Sequence, residues 1–205
     1  LNVLEALRRF QPGAQMVYVG TSTQIGPMIA NPITERHPVA PVDIYSANKA
    51  AAEYYCRIYA SVYDLAVNAV RLPNVYGPRA NISSPDFGFV NYFIGLAIQG
   101  QPLTIYGDGE QLRSVLFVED AVTALAAASQ ANSRGKFWFA TDDWSVSVNE
   151  LAERIVAACG GGRVRHVEWP DERKRIDVGD IVVDSTQIQA DLGWKAAVSL
   201  EAGLQ

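Results

Sequence analysis

Cysteine is nearly absent from this chain, with two in 205 residues, and those two, Cys56 and Cys159, lie far apart. A disulfide-stapled scaffold is therefore excluded, and the reading is two reduced, buried thiols of a cytoplasmic protein. Histidine is equally scarce, at His37 and His166, and no His/Cys/carboxylate cluster has the spacing of a metal site. No apolar run approaches the ~18–20 residues that span a bilayer, and no basic, apolar leader opens the chain. Excess positive charge is missing too. The net charge is −5, and the densest basic stretch is Arg173-Lys174-Arg175 with acids on both sides. That argues against nucleic acid as a partner and for a small-anion site or a solvated surface. Disorder is excluded by a hydrophobic content of 49% against 19% charged residues.

What is present alternates. Helical periodicity over 1–10, 44–63, 88–99, 119–131, 147–159 and 185–192 is interleaved with strand-like runs. Those runs are 15–20, 66–72, 103–106, 114–118, 136–140, 163–169 and a stretch near 181–184. The pattern predicts an α/β fold with a largely parallel sheet. The segments 21–43 and 73–86 read as loops, the first carrying Pro27, Pro32, Pro38 and Pro41. Asp43 is the expected cap of the helix from 44. Residues 1–78 form one compositional unit and 79–205 a looser one. The first residue is Leu, inside a helical pattern with no cap before it. Trp194 to Gln205 reads as a strand, a turn and the start of a helix. Both ends lead to the expectation of a piece of a longer protein.

Tyr45-Ser46-Ala47-Asn48-Lys49 places a phenol and an ammonium one helical turn apart, on one face. A free phenol, with a pKa near 10, is a poor base at neutral pH. A neighbouring cation stabilises the phenolate, and a phenol so tuned takes a proton from a sugar or alcohol hydroxyl while hydride leaves the same carbon. Upstream, the strand ending Tyr18-Val19-Gly20 runs into Thr21-Ser22-Thr23-Gln24-Ile25-Gly26, a turn rich in hydroxyls able to bond the same oxygen.

These segments together resemble the extended short-chain dehydrogenase/reductases, in the NAD-dependent nucleotide-sugar epimerase/dehydratase group, over nearly the whole chain. The family's strand-end motif falls on Gly20 to Gly26, and its Tyr-x-x-x-Lys on Tyr45 and Lys49. Its Arg-x-x-Asn-x-Tyr-Gly-Pro falls on Arg71, Asn74, Tyr76, Gly77 and Pro78. Its Gly-Asp-Gly-x-Gln-x-Arg segment falls on Gly107 to Arg113, with Val118 and Asp120 following, and its late Leu-Gly-Trp on Leu192 to Trp194.

The resemblance implies a Rossmann-like sheet in 1–78 bearing the catalytic helix, and mainly a sugar-nucleotide-binding α/β unit in 79–205. It implies NAD as cofactor, a nucleotide-diphosphate sugar as substrate and a homodimer formed through the helices at Leu1–Phe10 and Tyr54–Tyr63. Tyr45, Lys49 and Thr21 are then catalytic, and Tyr45, Lys49, Leu72 and Pro73 touch the cofactor. Thr21, Ser22, Thr23, Asn74, Val90, Thr104, Tyr106, Arg113 and Arg173 touch the substrate, with Arg175 an equal alternative to Arg173. Asp120 reads instead as structural.

Two departures bear on the reaction. Sugar 4,6-dehydratases carry an acid pair where this chain has Ser22 and Thr23, so epimerisation is expected over dehydration. The Gly-x-x-Gly-x-x-Gly phosphate loop is also missing, so the piece alone is expected to bind NAD weakly and not to turn over. The alternatives are a dehydrogenase, reductase or decarboxylase of the same group, or a non-catalytic sugar-nucleotide-binding module.

Overall fold

A computed structural model describes residues 1–205, the side chain of Phe87 excepted. It is a mixed α/β structure with mainly parallel strand pairing. Helix α1 (Asn2–Phe10) leads into β1 (Met16–Thr21), and a short 3-10 turn follows at Ser22–Ile25. The helix α2 (Ile44–Tyr63) precedes β2 (Val67–Leu72) and β3 (Asn74–Tyr76). Then come α3 (Phe89–Ile98), β4 (Pro102–Tyr106), β5 (Leu112–Arg113), β6 (Val115–Phe117) and α4 (Val118–Gln130). The remainder is β7 (Phe137–Phe139), β8 (Val146–Ser147), α5 (Val148–Cys159), β9 (Arg163–Val167), α6 (Asp171–Arg175), α7 (Thr186–Leu192) and α8 (Leu200–Leu204).

The main sheet has the order β1-β2-β7, all parallel, with Thr21 opposite Leu72 and Arg71 opposite Phe139. Every interior residue of β2 is buried, which is why Val67-Asn68-Ala69-Val70 shows no apolar/polar alternation. One face is covered by α1 and α2, where Leu4, Cys56, Tyr59, Leu65 and Val67 pack together. The other is covered by α4 and α7. Ala121, Ala124 and Ala128 recur at helical spacing and let α4 lie close against Val70 and Trp138, with Ile188 and Trp194 closing the cluster. A separate core joins α3, α5 and β4 through Phe93, Leu103, Ile105, Leu151 and Ile155. Smaller parallel pairs are β3 with β6 and β4 with β9, while β5 runs antiparallel to β8.

The structure differs from the sequence expectation in several places. The chain returns after residue 78 to the first sheet, through α4 and β7, because a parallel strand requires a crossover. The expected strand 114–118 is shortened to β6 (Val115–Phe117), with Ser114 outside it, its buried hydroxyl accepting from Val183 N–H at 3.1 Å. Residues 181–184 make only isolated bridges, Ile181 to Arg113 and Val183 to Ile33. The basic stretch near 173 is a short helix, α6, and residues 194–198 form no strand. The buried Asp120 carboxylate instead holds this segment, accepting Ala197 N–H at 3.0 Å and Val198 N–H at 2.9 Å. Cys56 is buried, whereas Cys159 is only partly so.

Candidate active site

In parallel α/β sheets ligands gather at the carboxyl ends of the strands. Here that edge brings Thr21 beside Leu72, with Pro73 next in the chain. Helix α2 starts at the same edge. Asp43 caps it, Oδ1 accepting Ser46 N–H at 2.8 Å and Oδ2 accepting the Ser46 hydroxyl at 2.7 Å. The cap holds the first turn and leaves Tyr45 exposed at 58%. One turn on, Lys49 Nζ lies 5.8 Å from the Tyr45 ring centroid and 5.4 Å from that of Tyr18, and donates to Val19 O at 2.9 Å. The phenol and the ammonium therefore share a face and meet β1 near its end. Burial pushes the neighbouring Tyr18 phenol up to about 12, which keeps it neutral.

A chain of hydroxyls ties the strand end to the helix. Thr21 Oγ1 accepts Thr23 N–H at 3.3 Å and lies 3.2 Å from Thr23 Oγ1, which is 2.8 Å from Ser46 Oγ. The Ser46 hydroxyl donates to Asp43, so the Thr23 proton points to Ser46. The Thr21 proton meets only the long 3.2 Å contact and is the most easily turned toward a ligand oxygen. Thr21 is itself buried, with 9% exposure, and Ser22, at the start of the 3-10 turn, is buried further at 2%.

A cavity of about 540 Å³ lies between α3, β4 and the segment after β9, and Thr21, Tyr45, Lys49 and Asn74 are not in its lining. Thr104, Tyr106 and Arg113 line it, together with Phe89, Tyr92 and Trp169, which sequence reasoning missed. Trp169 stands 5.4 Å from Tyr106, ring to ring, and packs over Gly107, where a Cβ would collide with the indole. Gly107 also has a φ of 71°, so it is required twice over. The only signal for Trp169 was an aromatic just past a strand and before the basic stretch. Val90 is turned into the core, and its neighbour Phe89 takes the cavity wall.

Arg113 is nearly buried. It donates to Gly179 O at 2.5 Å and Leu112 O at 2.9 Å and pairs with Asp177 at 3.4 Å. Burial lowers its pKa from the usual arginine value, partly offset by Asp177 and Asp180. Asn74 sits half-buried and donates to Ser114 O at 3.1 Å. Arg173 and Arg175 are exposed on α6 and do not line the cavity. Among the described residues no group of His, Cys, Asp or Glu is arranged to hold a metal ion.

A parallel sheet with a Thr at one strand end and a Tyr/Lys helix beside it is the arrangement implied by the short-chain dehydrogenase/reductase resemblance. The chain belongs to the NAD dependent epimerase/dehydratase family, which it matches over residues 1–138. It is 33% identical over 193 residues to a dTDP-glucose 4,6-dehydratase of Streptomyces griseus, covering 93% of this chain and 56% of that protein. It is 32% identical over 180 residues to the UDP-glucose 4-epimerase of Mycolicibacterium smegmatis, covering 85% of this chain and 55% of that one. Among solved structures, the UDP-glucose 4-epimerase of Thermotoga maritima with UDP-glucose superposes with a TM-score of 0.88 at 26% identity. That match covers 98% of this chain and 64% of the other. The chain thus spans between half and two thirds of the length of these relatives.

Proposed function

We propose that this chain carries the catalytic face and the sugar-nucleotide cavity of an NAD-dependent nucleotide-sugar epimerase. The observation that carries the proposal is the shared face of Tyr45 and Lys49 at the strand edge, tied through Ser46 and Thr23 to Thr21. The donor set suits the nicotinamide end of NAD. Lys49 uses one of its three N–H groups on Val19 O and keeps two for ribose hydroxyls, and Leu72 and Pro73 offer backbone beside them. NAD, when bound, supplies the acceptor and returning donor of hydride, so the sugar passes through a transient ketone without net redox change.

The chain's own groups do the remaining work. Tyr45 takes the proton from the sugar hydroxyl and later returns one. Thr21 donates to the same oxygen, and Lys49 stands one helical turn beyond the phenol on the same face. Arg113 and Asn74 face the diphosphate, and Thr104, Tyr106, Phe89 and Trp169 enclose the nucleoside. In this division residues 1–78 hold the reacting end and 79–205 mainly the nucleotide, with α4 and β7 completing the first sheet. Exposed Tyr54, Ile58 and Val62 on α2 support a homodimer, and two unpaired cysteines suit the cytoplasm.

Epimerisation is favoured over dehydration because the turn after Thr21 offers no carboxyl group: it is Ser22-Thr23-Gln24-Ile25, and Thr23 is committed to Ser46. A binding-only role also has an observation behind it, since Tyr45 and Lys49 do not line the cavity. The test is incubation of the full-length protein, not of these 205 residues alone, with NAD and a panel of UDP- and dTDP-sugars, read by product stereochemistry. A sugar nucleotide inverted at one carbon is the expected product. A 4-keto-6-deoxy product, net NADH, or tight binding without turnover each contradicts the proposal.

A further inference from the structure

Tyr45, Lys49 and Glu53 follow one another at four-residue spacing along α2, so they form one stripe. The first is exposed at the reacting edge and the last is buried at 2%. Glu53 holds Arg71 of β2 by two parallel bonds, from Nε at 2.9 Å and from a terminal nitrogen at 2.7 Å. It also accepts from Gln24 Nε2 at 2.6 Å. Gln24, wholly buried, passes the link on, because its Oε1 accepts the N–H of Thr21 at 3.3 Å. Arg71 immediately precedes Leu72 and Pro73, and its guanidinium lies 4.3 Å from the Phe137 ring and 5.2 Å from that of Phe139. One carboxylate therefore joins the helix of Tyr45, the turn of Thr21 and the end of β2.

Such a pair is a poor device for stability alone. Removing two charges from water is costly, apolar replacements are often neutral or better, and one Arg71 nitrogen is buried without a partner. Gly20 shows that the chain makes room for it, since a Cβ there would sit 3.2 Å from both Arg71 Cγ and Gln24 Oε1. What the network does supply is register.

We propose that Glu53, Gln24 and Arg71 form a positioning unit that holds Thr21 and the Leu72–Pro73 backbone at a fixed offset from Tyr45. This rests on the reading that Tyr45 and Thr21 act on one substrate oxygen. Gln24→Met keeps the volume and removes both hydrogen bonds, and the double variant E53M/R71M replaces the ion pair by apolar chains. Both are expected to lower kcat by about ten- to a hundredfold, the size of a small misplacement, with KM nearly unchanged. The Thr21 amide, slow to exchange in the wild type, becomes fast in Gln24→Met. If the double variant does not fold, Gln24→Met alone carries the test. Wild-type kcat in a folded Gln24→Met, or a change in KM alone, overturns the proposal. An unprotected Thr21 amide in the wild type overturns it too, whatever the substrate. Absence of any turnover by the full-length wild type would instead refute the epimerase reading and leave the amide result to stand by itself.

Discussion

At the residue scale, motif residues divide by what surrounds them. The placement of Tyr45 and Lys49 on one face and of Thr21 at a strand end was legible because it depends on local spacing. Glu53 and Gln24 were not, because their meaning lies in contacts across elements, 18 to 29 residues apart. Val90 shows the opposite failure, since an apolar residue on α3 suits a cavity wall or a core equally well by type, and helix rotation decides. Replacing Trp169 by Ala removes one face of the aromatic wall. Nucleotide affinity should fall by about three- to tenfold, the worth of one aromatic contact, as calorimetry with UDP or dTDP would show. Glu35 gives a second residue-scale prediction. Burial raises its carboxyl above the usual value, while it accepts Phe139 N–H at 2.9 Å. A raised carboxyl costs folding stability where it is ionised, and the cost vanishes as pH falls through its folded value. Glu35→Gln keeps the acceptor, so it should raise the melting temperature at pH 7 and lose that advantage in acid.

At the scale of elements, periodicity located every helix of seven or more residues, and α2 began at the expected cap. Short pieces escaped: β3 and β8 have three and two residues, too few for a period to register. Helix α1 docks through Leu4 and through a hydrogen bond from the Tyr59 hydroxyl to Glu5, whose carboxylate is held on α1 by Arg8. Arg8, and then the Tyr59 hydroxyl at 2.6 Å, lower the Glu5 carboxyl from 4.5 to about 2. That stabilisation is whole above pH 4.5 and is lost as pH falls toward 2. The melting temperature should therefore drop more steeply across this window in the wild type than in Glu5→Gln, measured by circular dichroism.

Across the whole molecule, one buried carboxylate and one indole fasten the last segment to α4. Asp120 takes two backbone N–H groups, and Trp194 Nε1 donates to Thr123 Oγ1 at 2.9 Å. Loss of both acceptors in Asp120→Ala should cost about 1–3 kcal/mol in all, with Asp120→Asn intermediate, in urea melts. This tertiary anchor explains why 194–198 reads as a strand yet pairs with none. The alternation of helices and strands that builds the parallel sheet was visible in the sequence. The return of α4 and β7 to the first sheet was not, because crossovers leave no mark in local sequence.

The most direct measurement follows a sugar nucleotide deuterated at the reacting carbon, with NAD present, in the wild type and in Tyr45→Phe. The wild type should yield the inverted sugar with its deuterium retained, and Tyr45→Phe should slow this by about 10²–10⁴-fold, the range for a lost acid–base group. Deuterium washed into solvent, or an undiminished rate without the phenol oxygen, would contradict the account.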